Sequence, residues 1–542
     1  GEKGIHATGP ALGMSVQRAD IGLDGATFPA EVYRVSQGQP GVWRFQVSAP
    51  ADVKAGMDGY LLVSSDSPYR LYAHLANYDL RVGERIGLVA YLYDQRESRE
   101  KPLAQGIQSA VAKVQFPDGR ERSLLMFDDG RHADGAAGDG VFGMLFTARQ
   151  AGEYTAQVRV RGVTPKGETL LRTSEHFFPV LDVQARLGKG AVATTLDSNR
   201  WQVTLPVEGL TPGSRVMAFA EMWGLDSSGK PAPAGWFGGL TQVGKDGIPL
   251  GFDVRWLAYS GVHAPFEVRN VRLQDADTAI PLAAQTRMEL KAPAVDVKRM
   301  PAVSTITDEM RMGPRPQRMQ TQAAGGKLML VHGYCAGSNP WPTSDFSSYA
   351  VFQDYHQNRT HDQFAQLIRN YGAQFPSFGI VAHSQGGAAA LHLYTYYWSG
   401  LDYSSGSRLI QSVGTPYQGT ALAGNLALLG QIFGVGCGSN WDLTYDGAAL
   451  WLSGIPSWAR SRVHYWTTSD KDVWWRWDYC NMATDPILDD PEDGVVEKWA
   501  AQLSGATNHG HKTGWCHTSG MRDPAQTSDH SRNAEMNAYG NR

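Results

Sequence analysis

Two hydrophobic rhythms divide the chain. Over residues 1–294 apolar and polar positions alternate in short runs, as in Val42-Trp43-Arg44-Phe45-Gln46-Val47 and Tyr154-Thr155-Ala156-Gln157-Val158-Arg159-Val160. Gly, Pro and Asp clusters interrupt these runs roughly every ten residues, the punctuation of strands joined by turns. A period of two sends alternate side chains to one face, so this half predicts β-sandwich modules, divided at 1–67, 68–183 and 184–294. Residues 295–326 hold no sustained period and end in Ala323-Ala324-Gly325-Gly326, which predicts a linker. Beyond it apolar strands are followed by helical segments, and residues 327–542 predict an α/β domain with a mostly parallel sheet. The expected fold class is multidomain: all-β modules followed by a C-terminal α/β domain.

Length and composition agree with several packed cores. At 542 residues, with 42% hydrophobic and 19% charged positions, the chain exceeds one domain and is too apolar for a disordered polymer. The 49 Lys and Arg against 53 Asp and Glu leave a net charge of −4, so neither nucleic acid nor an anionic membrane is an expected partner. No run of apolar residues is long enough for a transmembrane helix, and a sequence opening at Gly1 without a basic, apolar leader suggests that any signal segment has been removed. Four cysteines, all late in the chain, suggest two bridges formed in an oxidising compartment, and hence a secreted, extracellular or periplasmic protein.

The second module carries Asp128-Asp129-Gly130-Arg131-His132-Ala133-Asp134-Gly135-Ala136-Ala137-Gly138-Asp139-Gly140. Clustered carboxylates and glycines suit a hard cation such as calcium, but the spacing is not that of an EF-hand and lacks its terminal glutamate. Asx-turns shaping a long hairpin connection account for the same composition. The string resembles a turn of bacterial immunoglobulin-like domains.

The chemistry-bearing residues lie in the last 215 or so positions. The apolar run Leu328-Met329-Leu330-Val331 leads into His332-Gly333-Tyr334-Cys335-Ala336-Gly337, and Phe378-Gly379-Ile380-Val381-Ala382 leads into His383-Ser384-Gln385-Gly386-Gly387 and then a helical Ala388-Ala389-Ala390-Leu391. A serine between a buried strand and a helix, with glycine two residues on, fits a nucleophile elbow, although Ala382 stands at the usual first glycine. Backbone amides of Tyr334 and Gln385 are the candidate oxyanion donors. A serine nucleophile needs a histidine base oriented by a carboxylate. Asp493, just before a helix-like stretch, is the favoured acid, with Asp470 its rival; His509, His511, His517 and His530 lie downstream. His332 and His383 are assigned no proton transfer. His509 and His511 have metal-pair spacing but no further donors at fitting offsets, so no metal and no cofactor are expected.

Residues 493–508 followed by Gly514-Trp515-Cys516-His517 resemble the acid-to-histidine segment of the small bacterial lipases of the α/β-hydrolase superfamily, and Val413-Gly414-Thr415-Pro416-Tyr417-Gln418-Gly419 resembles their strand end after the elbow helix. The likeness covers residues 327–520. It selects His517 as the base and implies a Ser384-His517-Asp493 triad that hydrolyses hydrophobic carboxylic esters through an acyl-enzyme, on a small or lipid-like substrate. Residues 420–458 include an apolar stretch suited to a lid, and Trp466, Trp474, Trp475, Trp477 and Tyr479 suit an apolar groove. Four cysteines allow three pairings. Cys480 with Cys516 would pin the acid and base loops, and Cys335 with Cys437 would tie the oxyanion loop to the lid segment. The competing functions are polyester depolymerase, phospholipase or acyltransferase with the same triad, or a non-catalytic adhesion or binding protein whose β modules contact a surface or polymer.

Overall fold

The computed structural model describes residues 5–8, 14–23, 26–36, 44–47, 63, 65–317, 325–423, 437–473, 478–480, 484 and 487–542. Most of the apolar stretch expected as a lid, together with Trp474, Trp475 and Trp477, lies outside the described residues.

In the first module Met14–Leu23 pairs antiparallel with Ala26–Val35, and Ile5–Thr8 with Arg44–Val47. The second is a sandwich of two antiparallel sheets. One runs Tyr69–Leu75, Arg85–Asp94, Phe142–Thr147; the other runs Thr169–Val180, Gly152–Val163, Ile107–Gln115, Glu121–Met126. Alternation does what the sequence pattern requires: Tyr154, Ala156, Val158 and Val160 turn inward from one strand and meet Leu88, Leu92 and Phe146 of the facing sheet. The acidic loop closes on its own backbone. Asp134 accepts from the amides of Asp129, Gly130 and His132 at 2.7–2.8 Å, and Asp128 from those of Gly138, Asp139 and Gly140 at 2.6–3.2 Å. These are Asx-type turns that hold a long connection in shape.

The third module is built on a seven-stranded sheet whose inward side chains, among them Val203, Leu205, Met222, Phe252 and Val268, form a second core. The described part of the segment expected as a linker packs against it. The helix Asp308–Met312, capped by Thr307, buries Met310 in this core, and the Met310 carbonyl accepts from Trp256 Nε1 at 2.8 Å. Val295, Met300, Val303 and Ile306 are scattered without a period, yet each finds this apolar surface.

Residues 327–542 form a six-stranded, all-parallel sheet in the order Tyr349–Val351, Lys327–Val331, Phe378–His383, Ile410–Val413, Val463–Ser469, Thr507–Thr513. Successive residues of one strand face opposite cores. Met329 and Val331 face the helices His361–Gly372 and Gln385–Tyr396, while Leu328 and Leu330 face Met536 of the helix His530–Tyr539. Burial on both faces explains why residues 328–331 and 378–382 read as continuous apolar runs and not as alternation.

The second, third and C-terminal units share buried surface. Trp441 and Leu450 of the C-terminal unit, with Met217 and Ile280 of the third, belong to the same apolar cluster as the core of the second module. Polar contacts enclose it. Trp441 Nε1 donates to the Thr278 carbonyl at 3.0 Å, Asp446 accepts from the Leu75 amide at 3.1 Å and the Tyr78 hydroxyl at 3.2 Å, and Arg215 pairs with Asp362 at 2.8 Å. Asp442, which accepts from the His361 amide at 2.6 Å, has its carboxyl pushed up to about 7, chiefly by burial, with the nearby carboxylates of Asp277 and Asp362 adding to it. A carboxyl raised in the folded state holds a proton that the unfolded chain releases above about pH 4, so its contribution to stability falls by about 1.4 kcal/mol per pH unit up to its folded value and stays low above it. Asp442→Asn removes the buried charge. Its stability relative to the parent should therefore be greater at about pH 8 than at about pH 5, by up to about 3 kcal/mol in chemical denaturation; a difference independent of pH would contradict this.

Candidate functional site

The carboxyl ends of the parallel strands lie along one edge of the sheet, and the turns that leave them carry the candidate residues. At the end of Phe378–His383 the chain turns sharply into Gln385–Tyr396. Ser384, at φ 52° and ψ −134°, occupies the turn in a left-handed conformation that costs a non-glycine residue about 1–3 kcal/mol. Hydrogen bonds hold it there: the Ser384 amide donates to the Val413 carbonyl at 3.1 Å, and Thr415 Oγ1 donates to the Ser384 carbonyl at 2.7 Å. Close approach then dictates glycine at two neighbours. A Cβ on Gly386 would lie 2.3 Å from the His332 carbonyl oxygen, and one on Gly333 would lie 2.5 Å from Ser384 Cβ.

His517 and Asp493 meet at the same edge. His517 Nδ1 is 2.9 Å from Asp493 Oδ2, and the His517 amide donates to the Asp493 carbonyl at 2.6 Å. Asp493 Oδ1 accepts from the amides of Val495 and Val496 at 3.0 and 2.8 Å. Asp470, the rival acid, lies elsewhere: its nearest cation is Arg522, 3.8 Å away, and burial raises its carboxyl to about 6. The His517 ring packs beside His383, with centroids 4.6 Å apart. No hydrogen bond joins Ser384 to His517 among the described residues.

Gln526, which sequence reasoning missed, is the hub of this cluster. It is fully buried; its Nε2 lies 3.1 Å from His383 Nε2, 3.1 Å from His517 Nδ1 and 3.2 Å from Asp493 Oδ2, while its Oε1 accepts from Thr468 at 2.7 Å. A lone glutamine in a polar tail carries no pattern that would single it out. His383 is driven well below its ordinary pKa, first by burial and then by the neighbouring His517, and stays neutral.

The side chains of Tyr334 and Gln385, whose backbone amides were the expected oxyanion donors, are anchored by bonds of their own. The Tyr334 hydroxyl donates to the Gly438 carbonyl and accepts from the Cys437 amide at 2.9 Å, while Gln385 Nε2 donates to the Arg359 carbonyl at 2.7 Å. Next to Tyr334, Cys335 is disulfide-bonded to Cys437. Cys480 and Cys516 are two buried thiols with sulfurs 4.0 Å apart. His332 uses both ring nitrogens on backbone, 2.8 Å from the Gly333 carbonyl and 2.9 Å from the Asp354 amide. His509 stacks on His464 and Trp466, and His511 contacts Thr467 and Ser469, so the two do not converge as a metal pair.

Taken together, the described units define a multidomain protein of immunoglobulin-like modules joined to a C-terminal domain that carries a buried polar cluster. Family profiles match successive parts of the chain: the conditioned medium factor first Ig-like domain at residues 6–63, the second at 69–180, the third at 217–314, and the conditioned medium factor C-terminal domain at 323–540. The chain belongs to the conditioned medium factor family. It is 35% identical over 573 aligned residues to "Conditioned medium factor" of Dictyostelium discoideum, an alignment covering 97% of this chain and 81% of that protein.

Solved structures resemble it only distantly. A DUF4785 family protein from Legionella pneumophila matches 42% of this chain and 57% of its own at 14% identity and a TM-score of 0.26; phospholipase PlaB from the same species matches 33% and 46% at 16% identity and a TM-score of 0.25. Likenesses of that size carry no functional argument. The family assignment corrects the expected lipase: residues 323–540 match the C-terminal domain of a factor, and the relative that spans the chain is named as a factor and not as an ester hydrolase. With it go the reading of the chain as a serine hydrolase and the description of it as a lipase or esterase.

The strained turn yields a measurable consequence. Ser384→Gly relaxes a conformation that glycine adopts freely, and after the entropy glycine loses on folding the net gain should be about 1 kcal/mol of stability. Urea denaturation of the full chain reads it; an unchanged or lowered midpoint would mean that the turn stores no strain.

Proposed function

We propose that the protein is an extracellular factor that acts by binding and not by catalysis, with recognition carried by its immunoglobulin-like modules. The observation that carries this reading is the breadth of the relationship: 35% identity to a conditioned medium factor extends over 97% of the chain, β modules included, and is not confined to the domain that holds Ser384. A factor recovered from medium is a secreted protein, and the disulfide between Cys335 and Cys437 suits an oxidising exterior.

The C-terminal domain then serves as a body with an α/β-hydrolase-type scaffold. In favour of that fold are the six parallel strands, the helices on both faces and the sharp turn at Ser384. Asp493, His517 and Gln526 act in it as a polar bolt that joins the loops at the sheet's carboxyl edge, each carboxylate oxygen of Asp493 already accepting hydrogen bonds. The second module offers surfaces suited to recognition. Among the described residues Thr169–Val180 and Glu121–Met126 are the outer strands of its four-stranded sheet, and on them Leu171 and Leu125 are 70% and 64% exposed. Exposed edges with apolar side chains invite pairing with another chain.

Saturable binding of the labelled full chain to cells of its source tests the reading. Ser384→Ala should bind within about twofold of the parent, a change of no more than about 0.4 kcal/mol, whereas the double variant Leu125→Lys, Leu171→Lys should bind at least about tenfold more weakly. Turnover of p-nitrophenyl esters that vanishes in Ser384→Ala would refute the proposal.

A further inference from the structure

Away from the Ser384 turn, three elements bring metal-ligating side chains to one buried point. Asp470 follows directly on the strand Val463–Ser469, Cys480 stands in the excursion that comes next, and Cys516 lies in the loop after Thr507–Thr513. One ligand atom from each lies within 4.8 Å of the others, and both cysteines are fully buried. Asp470 is 8% exposed, and its Oδ2 is buried with no hydrogen-bond partner. The carboxyl already has the Cys480 thiol as a hydrogen-bonding neighbour and the Arg522 guanidinium 3.8 Å from Oδ2, but neither closes on that oxygen.

The sulfur spacing narrows what would complete it. In a tetrahedral zinc site with Zn–S bonds of about 2.3 Å, two thiolates sit about 3.8 Å apart. Cys480 Sγ and Cys516 Sγ are 4.0 Å apart, so the pair needs almost no movement to share a metal. The surroundings are fixed in the manner of an outer shell. The Asp523 amide points at Cys516 Sγ at 3.2 Å, the Cys516 amide donates to the Pro524 carbonyl at 2.9 Å, and the Asp470 amide donates to the Glu492 carbonyl at 2.9 Å. Met521 packs against both cysteines and closes the site with a soft, apolar wall.

We propose that Asp470, Cys480 and Cys516 bind a zinc ion, with the fourth position taken by water. Two thiolates and a carboxylate form a sulfur- and oxygen-donor set that zinc accepts, and a redox-inert ion held by all three would clamp the segments that carry them. On binding, each thiol gives its proton to solvent as its sulfur takes the metal, two protons released per ion. The ion would fasten the end of one strand and the two loops that follow to one another, next to the segment that carries His517. This site is independent of the binding role proposed for the β modules.

The full chain, purified without reductant or chelator, tests the proposal. Elemental analysis should find close to one zinc per molecule, and Cys480 and Cys516 should resist alkylation until a chelator removes it. Replacement by cobalt should produce a sulfur-to-metal charge-transfer band. Because Cys480→Ser removes a core side chain and can prevent folding, Asp470→Asn supplies the second measurement: it should weaken zinc at least about tenfold in competition with a chromophoric chelator while the fold persists. A Cys480–Cys516 disulfide in non-reducing peptide maps would overturn the proposal. So would two freely alkylated thiols in zinc-saturated folded protein, or zinc affinity untouched by Asp470→Asn.

Discussion

Burial of Trp441 and Leu450 in the core of the second module is the interaction on which the rest of the architecture depends. A module of about 110 residues buries a limited fraction of its surface alone, and borrowing two large side chains from another unit enlarges its core. The borrowing has an electrostatic cost. The helix that carries Leu450 also carries Asp446, and Asp442 sits between it and Trp441, so docking takes two carboxylates out of water. Both are held by hydrogen bonds, Asp446 to Leu75 and Tyr78 and Asp442 to His361, yet burial still lifts their pKa values. The junction is thus apolar at its centre and charge-sensitive at its rim.

The same economy operates at the sheet's carboxyl edge. Ser384 holds a backbone conformation that serine disfavours, and the turn survives because Val413, Thr415 and the close packing at Gly386 and Gly333 over-determine it. The two protons of Gln526 Nε2 reach His383 Nε2 and Asp493 Oδ2 while His517 Nδ1 donates to the same carboxylate, so three loops from distant parts of the chain share one hydrogen-bonded centre. Removing one member of such a network leaves the others buried without partners, which makes it a strong constraint on loop placement whether or not any bond is broken there.

The alternation of residues 154–160 makes the inward face of a strand legible in the sequence, because a half-buried sheet enforces a period of two. The apolar runs 328–331 and 378–382 make a parallel, doubly covered sheet legible for the converse reason. The packing of residues 295–312 on the third module is not legible: Met300, Val303, Ile306 and Met310 have no common period, and only the shape of the neighbouring core assigns them a place. Function misled for a physical reason. A strand that turns sharply into a helix needs small residues at 382, 386, 387 and 388 whatever its serine does, so the local pattern that resembles a lipase reports backbone geometry first. What corrects it is a relationship extending through the β modules, where the motif has nothing to say.

The shared core of three units also fixes the distances between them. Contact points presented by modules fused through buried side chains keep a fixed separation, so a partner that touches two of them gains the second contact without the loss of freedom that a slack tether imposes. For the binding role proposed above, the spacing of contact points on a partner, and not only their chemistry, would then count.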